Sequence, residues 1–259
     1  MPRPLATLRR SLPKGWGDAL RQILLFVCAY NGYQLVRGLV DGDQAQALAN
    51  GMHVIHLERS LGAFFEPGLQ QSLINHRWLI DLANFFYLNG HFILTTTFLV
   101  WMYLRRNDSF YFVRNMFLVA MGLALIGYGL FPTAPPRMFP TVGFTDTISA
   151  FTHTDQDSSF TSVLVNPYAA VPSMHIAFAL MIGVPGFVMS RSPAMRMWWS
   201  MYPMLVFFVI VVTANHFWFD AAMGAAVACT AAVAATQLAR LRPAAWSWHE
   251  REAVDEAPA

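Results

Sequence analysis

Charge is what this 259-residue chain has least of: Asp, Glu, Lys and Arg make up 12% of it, against roughly 25% in an ordinary soluble domain. The net charge is only +2 and the basic residues are scattered, which gives no basis for a nucleic-acid partner. Cysteine is nearly absent. Cys28 and Cys229 lie in apolar runs near opposite ends of the chain, too few and too far apart for a disulfide framework or a metal knuckle. They are expected to be small apolar packing residues. No internal repeat or low-complexity tract is apparent.

What is present instead is apolar: 56% of the residues are hydrophobic, and they fall in runs of about 20, the length that crosses roughly 30 Å of hydrocarbon. The expected fold is therefore an all-α, polytopic membrane helical bundle rather than a soluble domain. Hydropathy marks about six spans, near 19–40, 79–104, 112–131, 173–190, 197–215 and 217–239. Asn31, Gln34 and Arg37 make the first the weakest. The last is rich in Ala and Gly, which suits close helix–helix approach in lipid. Arg3, Arg9, Arg10 and Lys14 precede Ile23–Val27 as in a signal peptide, but no small-residue cleavage site follows. The segment reads as an uncleaved anchor.

Orientation follows from the cations. A cytoplasmic N-terminus leaves only Arg37, Arg59, Arg77 and Arg137 of the 17 Lys and Arg residues outside, a strong positive-inside bias. Both termini are then cytoplasmic, and the chain divides into a basic N-terminus (1–18), a six-helix membrane domain (19–240) and a disordered tail (241–259). Segments 41–77 and 132–172 and the bend near His216 share the outer face. Within 41–77, Val54, Ile55, Leu57, Leu61, Phe64 and Phe65 recur at helical spacing among His53, His56, Glu58 and Arg59. That pattern predicts an amphipathic helix at the outer interface, a cover over the bundle rather than a substrate contact.

Ionisable groups at membrane depth are costly and are functional candidates by default. Three patterns stand out at the outer ends of spans. In Asn215-His216-Phe217-Trp218-Phe219-Asp220 the His and Asp are four apart and share a face if helical, so Asp220 can fix one imidazole nitrogen and leave the other to attack. A structural His–Asp pair is the plainer reading of that pattern alone. In Val171-Pro172-Ser173-Met174-His175, Pro172 suits the first helical position. Ser173, His175 and unpaired N–H groups then gather at a helix start, where anions bind and where His175 can supply a proton. Phe131-Pro132-Thr133-Ala134-Pro135-Pro136-Arg137 is a stiff exit carrying a guanidinium suited to phosphate, or one that meets lipid headgroups. His91, with Asn84 and Asn89, lies inside the second span and is expected to be hydrogen-bonded in the core.

Taken together, PTAPPR (132–137), VPSMHIAFA (171–179) and ANHFWFDAAMG (214–224) resemble, in order and spacing, the three signature blocks of the type 2 phosphatidic acid phosphatase superfamily. LERSLGAFFE (57–66) and FFYLNGHF (85–92) resemble the branch that includes the inositol phosphorylceramide synthases. The resemblance covers roughly residues 50–230 and implies a phosphohistidine at His216, with Asp220 as its orienter, His175 as general acid and Arg137 as phosphate-binding arginine. Asn215 and Ser173 would add phosphate contacts. The chain departs from the usual blocks at Leu130, where a Lys is customary, at Ile210, where an Arg is, and at Met174, where a Gly is.

The leading expectation is a lipid phosphate phosphatase without cofactor or metal, multi-pass in the cell membrane, with its site at the outer face. The alternative from the same half-reaction is a transferase that moves a phospho-headgroup to an alcohol. A metalloenzyme using His175, His216 and Asp220 as ligands, and a non-catalytic lipid transporter or binding protein, are the other classes weighed. Broken helices suit transport; the gathering of polar groups at one face argues against it.

Overall fold

A computed structural model describes residues 12–39, 44–152 and 168–241. The basic N-terminus up to residue 11, the tail from 242 and residues 153–167 of the outer segment lie outside the described residues. The protein is an all-α bundle, with no strand among the described residues. In chain order the helices are α1 (Gly15–Leu39), α2 (Gln44–Ser60), α3 (Glu66–Leu73), α4 (Arg77–Phe85), α5 (His91–Arg105), α6 (Asn107–Leu130), α7 (Thr147–Thr152), α8 (Met174–Met189), α9 (Pro193–Val212) and α10 (Trp218–Leu241). A π-helical turn, Phe86–Gly90, joins α4 to α5 without a break.

Four stretches among the described residues are long and apolar enough to cross a membrane: Arg77–Arg105, Asn107–Leu130, Pro193–Val212 and Trp218–Leu241. The expected six differ from these at two places. Helix α8 is apolar but has only 16 residues. Helix α1 has 25 residues but contains Asp18, Arg21 and Arg37. The bundle's outside is apolar, with Ile23, Leu24, Phe92, Ile93, Val188, Met204 and Val233 each more than half exposed, as a surface facing hydrocarbon requires. Cys28 and Cys229 belong to that surface and are exposed, not packed as expected.

The core forms where α6, α8 and α10 meet. Small residues allow it: Ala221, Ala228, Ala231 and Ala235 of α10 are buried, and Gly224 lies so close to the Ser173 carbonyl that a Cβ there would overlap backbone. Gly186 of α8 similarly meets the Trp199 ring of α9. A ladder of hydroxyls steadies the same region, with Tyr33 donating to the Tyr128 hydroxyl at 3.1 Å and Tyr128 to the Pro172 carbonyl at 3.2 Å.

Segment 41–77 is two helices docked on the bundle. The buried side of α2 is Ala47, Asn50, Gly51, Val54, Ile55 and Glu58, packed against Ala134, Phe139, Ala214 and Phe217. Asn50 donates to the Pro132 carbonyl at 2.7 Å and the Ala134 amide to the Ala47 carbonyl at 3.0 Å, so α2 holds the proline-rich loop in place. Polar groups are not confined to that end, as the sequence suggests. At the opposite end Asp18 accepts from Tyr103 (2.9 Å), Tyr111 (2.7 Å) and Gln22 (3.0 Å), while Arg114 donates to Gln22 and Asn115. Arg114 is 1% exposed, a bundle-interior group rather than a loop cation, and the cluster fastens α1 to α5 and α6.

Gly224→Ala is expected to force α10 off the Ser173 turn, lowering stability by about 1–3 kcal/mol as overpacking does. Gly129→Ala meets nothing within 4 Å and should be neutral or stabilising by up to about 1 kcal/mol from helix propensity. Thermal unfolding of both variants in detergent checks the contrast.

Candidate active site

Three chain breaks converge at the α2–α3 end of the bundle. Helix α9 stops at Val212, and the chain turns through Ala214, whose φ of 53° is in the left-handed region. A non-glycine residue there costs of order 1–3 kcal/mol and persists where its surroundings over-determine it. Here they do: the Asn215 and His216 amides both donate to the Ile210 carbonyl (3.0 and 3.2 Å), and the Ala214 carbonyl accepts from the Arg137 amide at 2.8 Å.

His216 is 5% exposed and its Nδ1 lies 3.2 Å from Asp220 Oδ2. The pairing is not that of two residues on one helix face, as the spacing predicts, because α10 begins at Trp218 and His216 precedes it. Asp220 instead sits in the first turn and reaches back, also accepting the Phe217 amide at 3.0 Å. That is the carboxylate half of a capping box, with the imidazole as a second donor.

Helix α8 starts at Met174 with Ser173 as its N-cap, so Pro172 stands outside the helix rather than at its first position. The Ser173 amide donates to the Asp220 carbonyl at 3.0 Å, tying the starts of α8 and α10 together. The Ser173 side chain makes no capping bond. Its fully buried Oγ has no hydrogen-bond partner among the described residues, and neither do Asp220 Oδ1, Trp218 Nε1 and His91 Nε2. Buried unsatisfied polar atoms are rare in a finished core and invite a ligand or water as explanation.

His175 follows on α8, its ring centroid 5.7 Å from that of His216. Sequence reasoning missed what holds it. Tyr87, in the π turn, stacks on the His175 ring at 4.3 Å and offers its carbonyl 3.3 Å from His175 Nε2. A π turn releases backbone groups from the regular ladder and is frequent at functional sites. His91 is a core residue, as expected, with Nδ1 2.7 Å from the Tyr202 hydroxyl, but its ring also lies 5.2 Å from His175. Arg137, half-buried, donates from Nη1 to Asn215 Oδ1 at 2.7 Å, which sets the guanidinium beside the residue preceding His216.

The structure thus gathers His216, Asp220, His175, Ser173, Asn215 and Arg137 at one end of the bundle. Two imidazoles lie near each other, with a guanidinium held by the residue before His216 and an unsatisfied hydroxyl two residues before His175, a set of groups able to attack, protonate and neutralise an oxyanion. Among the described residues no three of His, Cys, Asp and Glu are grouped so as to hold a metal ion, so His175, His216 and Asp220 are not arranged as a ligand set. Leu130 and Ile210, where cations are customary in the resembling family, are respectively 78% exposed and fully buried.

Two further acids were missed. Glu66 Oε1 accepts the Trp218 amide at 3.0 Å and Glu58 Oε1 the Phe219 amide at 3.1 Å. A signal existed for Glu58, which is four residues from Val54 and three from Ile55 and so shares their buried face. Burial, and then the charge of Glu66, push the Glu58 carboxyl from its ordinary 4.5 up to about 9.

The family described as the PAP2 superfamily matches residues 52–234, more than half of the chain. Neither a curated protein nor a solved structure matches it.

Between pH 4.5 and about 9 the folded protein holds a proton on Glu58 that the unfolded chain releases. Stability is therefore expected to fall as pH rises through that window and to level off above it. Glu58→Gln, which cannot titrate, should flatten the decline, as thermal unfolding in detergent at a series of pH values would reveal.

Proposed function

Because the chain belongs to the PAP2 superfamily, and so to a group of membrane lipid phosphatases and phosphotransferases, we propose that it hydrolyses a lipid phosphate ester through a phosphohistidine on His216. The observation that carries the reading is the His216–Asp220 bond at 3.2 Å with the His175 ring 5.7 Å away. With Nδ1–H held by Asp220, Nε2 of His216 attacks phosphorus. A P–N bond forms, the P–O ester bond breaks, and the departing lipid alkoxide takes a proton from His175. Water then attacks the phosphohistidine, giving its proton to His175 as the P–N bond breaks and inorganic phosphate leaves.

Charge on the phosphoryl oxygens is met by Arg137, oriented by Asn215, and by the Ser173 hydroxyl. Donors placed where charge develops supply much of such a barrier reduction. A cavity of about 520 Å³ supports a lipid as the substrate. It runs between α1 and α5 and is lined by Ile23, Phe26, Phe92, Leu99 and Phe117, with His91 at the site end and Tyr103 at the other. The helical rise from His91 to Tyr103 spans about 18 Å, enough for most of one acyl chain. The distribution of Lys and Arg favours a multi-pass arrangement in the cell membrane with the site at the outer face.

Transfer to an alcohol is the second outcome of the same intermediate. The resemblance of 57–66 and 85–92 to inositol phosphorylceramide synthases favours it, since Tyr87 and His91 from those stretches pack on His175, and Glu58 and Glu66 hold the amides that follow His216.

Purified protein given labelled phosphatidic acid, prenyl phosphate and intact phospholipids, with phosphate release and headgroup transfer both counted, tests the proposal. Release should dominate, and acid-labile, alkali-stable label should accumulate on the protein. His216→Ala should lose both activities and the label. Asp220→Asn should lower kcat by roughly 10³–10⁴-fold through the wrong tautomer. Turnover that survives His216→Ala would sink the reading.

A further inference from the structure

Segment 41–77 does more than cover the site. Three consecutive amides open α10, those of Phe217, Trp218 and Phe219, and each is taken by a carboxylate from a different element: Asp220 of α10 itself, Glu66 at the start of α3 and Glu58 near the end of α2. Both glutamates are fully buried, and Glu66 also accepts the Phe65 amide through Oε2 at 2.9 Å. An exposed helix start is normally capped by one local Ser, Thr, Asp or Asn. Two acids brought from 152 and 161 residues away, and desolvated beside a third, are a costly way to satisfy two amides. The arrangement makes structural sense if the first turn of α10 must not move.

We propose that Glu58 and Glu66 are positioning residues for the His216–Asp220 pair, acting through the backbone amides of Trp218 and Phe219. The inference rests on His216 being the nucleophile. Asp220 lies one residue beyond this doubly held pair, and its carboxylate reaches back over Phe217 to His216, so any tilt or fraying of the turn is transmitted to the imidazole. The Ser173 amide on the Asp220 carbonyl then carries the same register to the start of α8 and His175. A second consequence concerns the phosphate. With the Phe217, Trp218 and Phe219 amides occupied by carboxyl groups, those three donors are withdrawn from an anion, and the proposed reaction turns to Arg137, Ser173 and the start of α8 for the phosphoryl oxygens.

The full-length protein in detergent, with whichever labelled lipid phosphate it turns over, provides the test through Glu58→Ala, Glu66→Ala and their Gln counterparts. Hydrogen–deuterium exchange of the peptide covering 214–222 reads the clamp without reference to activity. Each Ala variant should exchange faster there and lose kcat roughly 100-fold, the cost of about 1 Å of misplacement, with KM within about twofold by the same reasoning. Glu58→Gln keeps a carbonyl acceptor for Phe219 and should recover most of kcat. Combining Glu66→Gln with Asp220→Asn should cost less than the sum of the two, as expected for residues acting through one another; this pair also serves if the Ala variants do not fold. Folded Ala variants with wild-type exchange and kcat, a rise in KM alone, or strict additivity would each overturn the proposal. Loss of the protected peptide in a chain that turns over no phosphate ester would retain the clamp and remove the function assigned to His216.

Discussion

The bond from the Ser173 amide to the Asp220 carbonyl, 3.0 Å long, is the junction on which the site depends. It joins two helix starts that the whole of α8 and α9 separates in sequence. The absence of a side chain at Gly224 is what lets them approach, because any Cβ there meets the Ser173 carbonyl. Once the junction is made, His175 and His216 must face one another, since each lies within four residues of it. The other constraints converge on the same point: the Tyr128 hydroxyl under Pro172, the Arg137 amide on Ala214, and the acids on Trp218 and Phe219. Bilayer hydrocarbon offers no water to satisfy broken helix ends, so they survive only where protein groups replace it.

Much of this was legible in the sequence because it is local. Apolar runs of about 20 residues announce a membrane bundle, and each of the three site blocks is short enough for its spacing to carry chemistry. Proline marked the exit of α6, although Pro172 stands outside α8 rather than at its first position, and Pro185 and Pro203 sit inside helices. Local spacing misled where the helix boundary mattered: His216 and Asp220 look like neighbours on a helix face, yet the helix starts between them, and the pairing is a cap. It also misjudged Arg114, which counts as a cytoplasmic cation by position but lies inside the bundle against Gln22 and Asn115. Glu66 and the Tyr87 carbonyl were illegible for another reason. Their partners are distant in sequence, and a π turn leaves no signature in residue type.

The electrostatics of the site are unusual for one that would bind a phosphate. Arg137 is the cation placed beside His216, and the positions where the resembling family carries two more are Leu130 and Ile210. The acidic side is correspondingly crowded, with Glu58, Glu66 and Asp220 gathered at the turn that follows His216. Holding Glu58 protonated at neutral pH reduces that crowding. In the proposed reaction this asymmetry separates two tasks. Carboxyl groups fix the imidazole from behind, and one guanidinium with neutral donors receives the oxyanion in front.

The polar cluster at the far end bears on the choice between enzyme and transporter. A transporter needs polar groups along a path; here the second group is a local cluster at the far end, with Asp18, Gln22, Tyr103, Tyr111, Arg114 and Asn115 engaged with one another. Between it and the histidines runs the apolar cavity between α1 and α5, which suits a hydrocarbon tail and would obstruct a charged headgroup. In the proposed reaction one polar end would receive the phosphate ester and the apolar middle its chain, while the other polar end fastens α1, the helix that forms one wall of the cavity. The geometry fits a lipid held at one depth while its headgroup is cut, rather than one carried across.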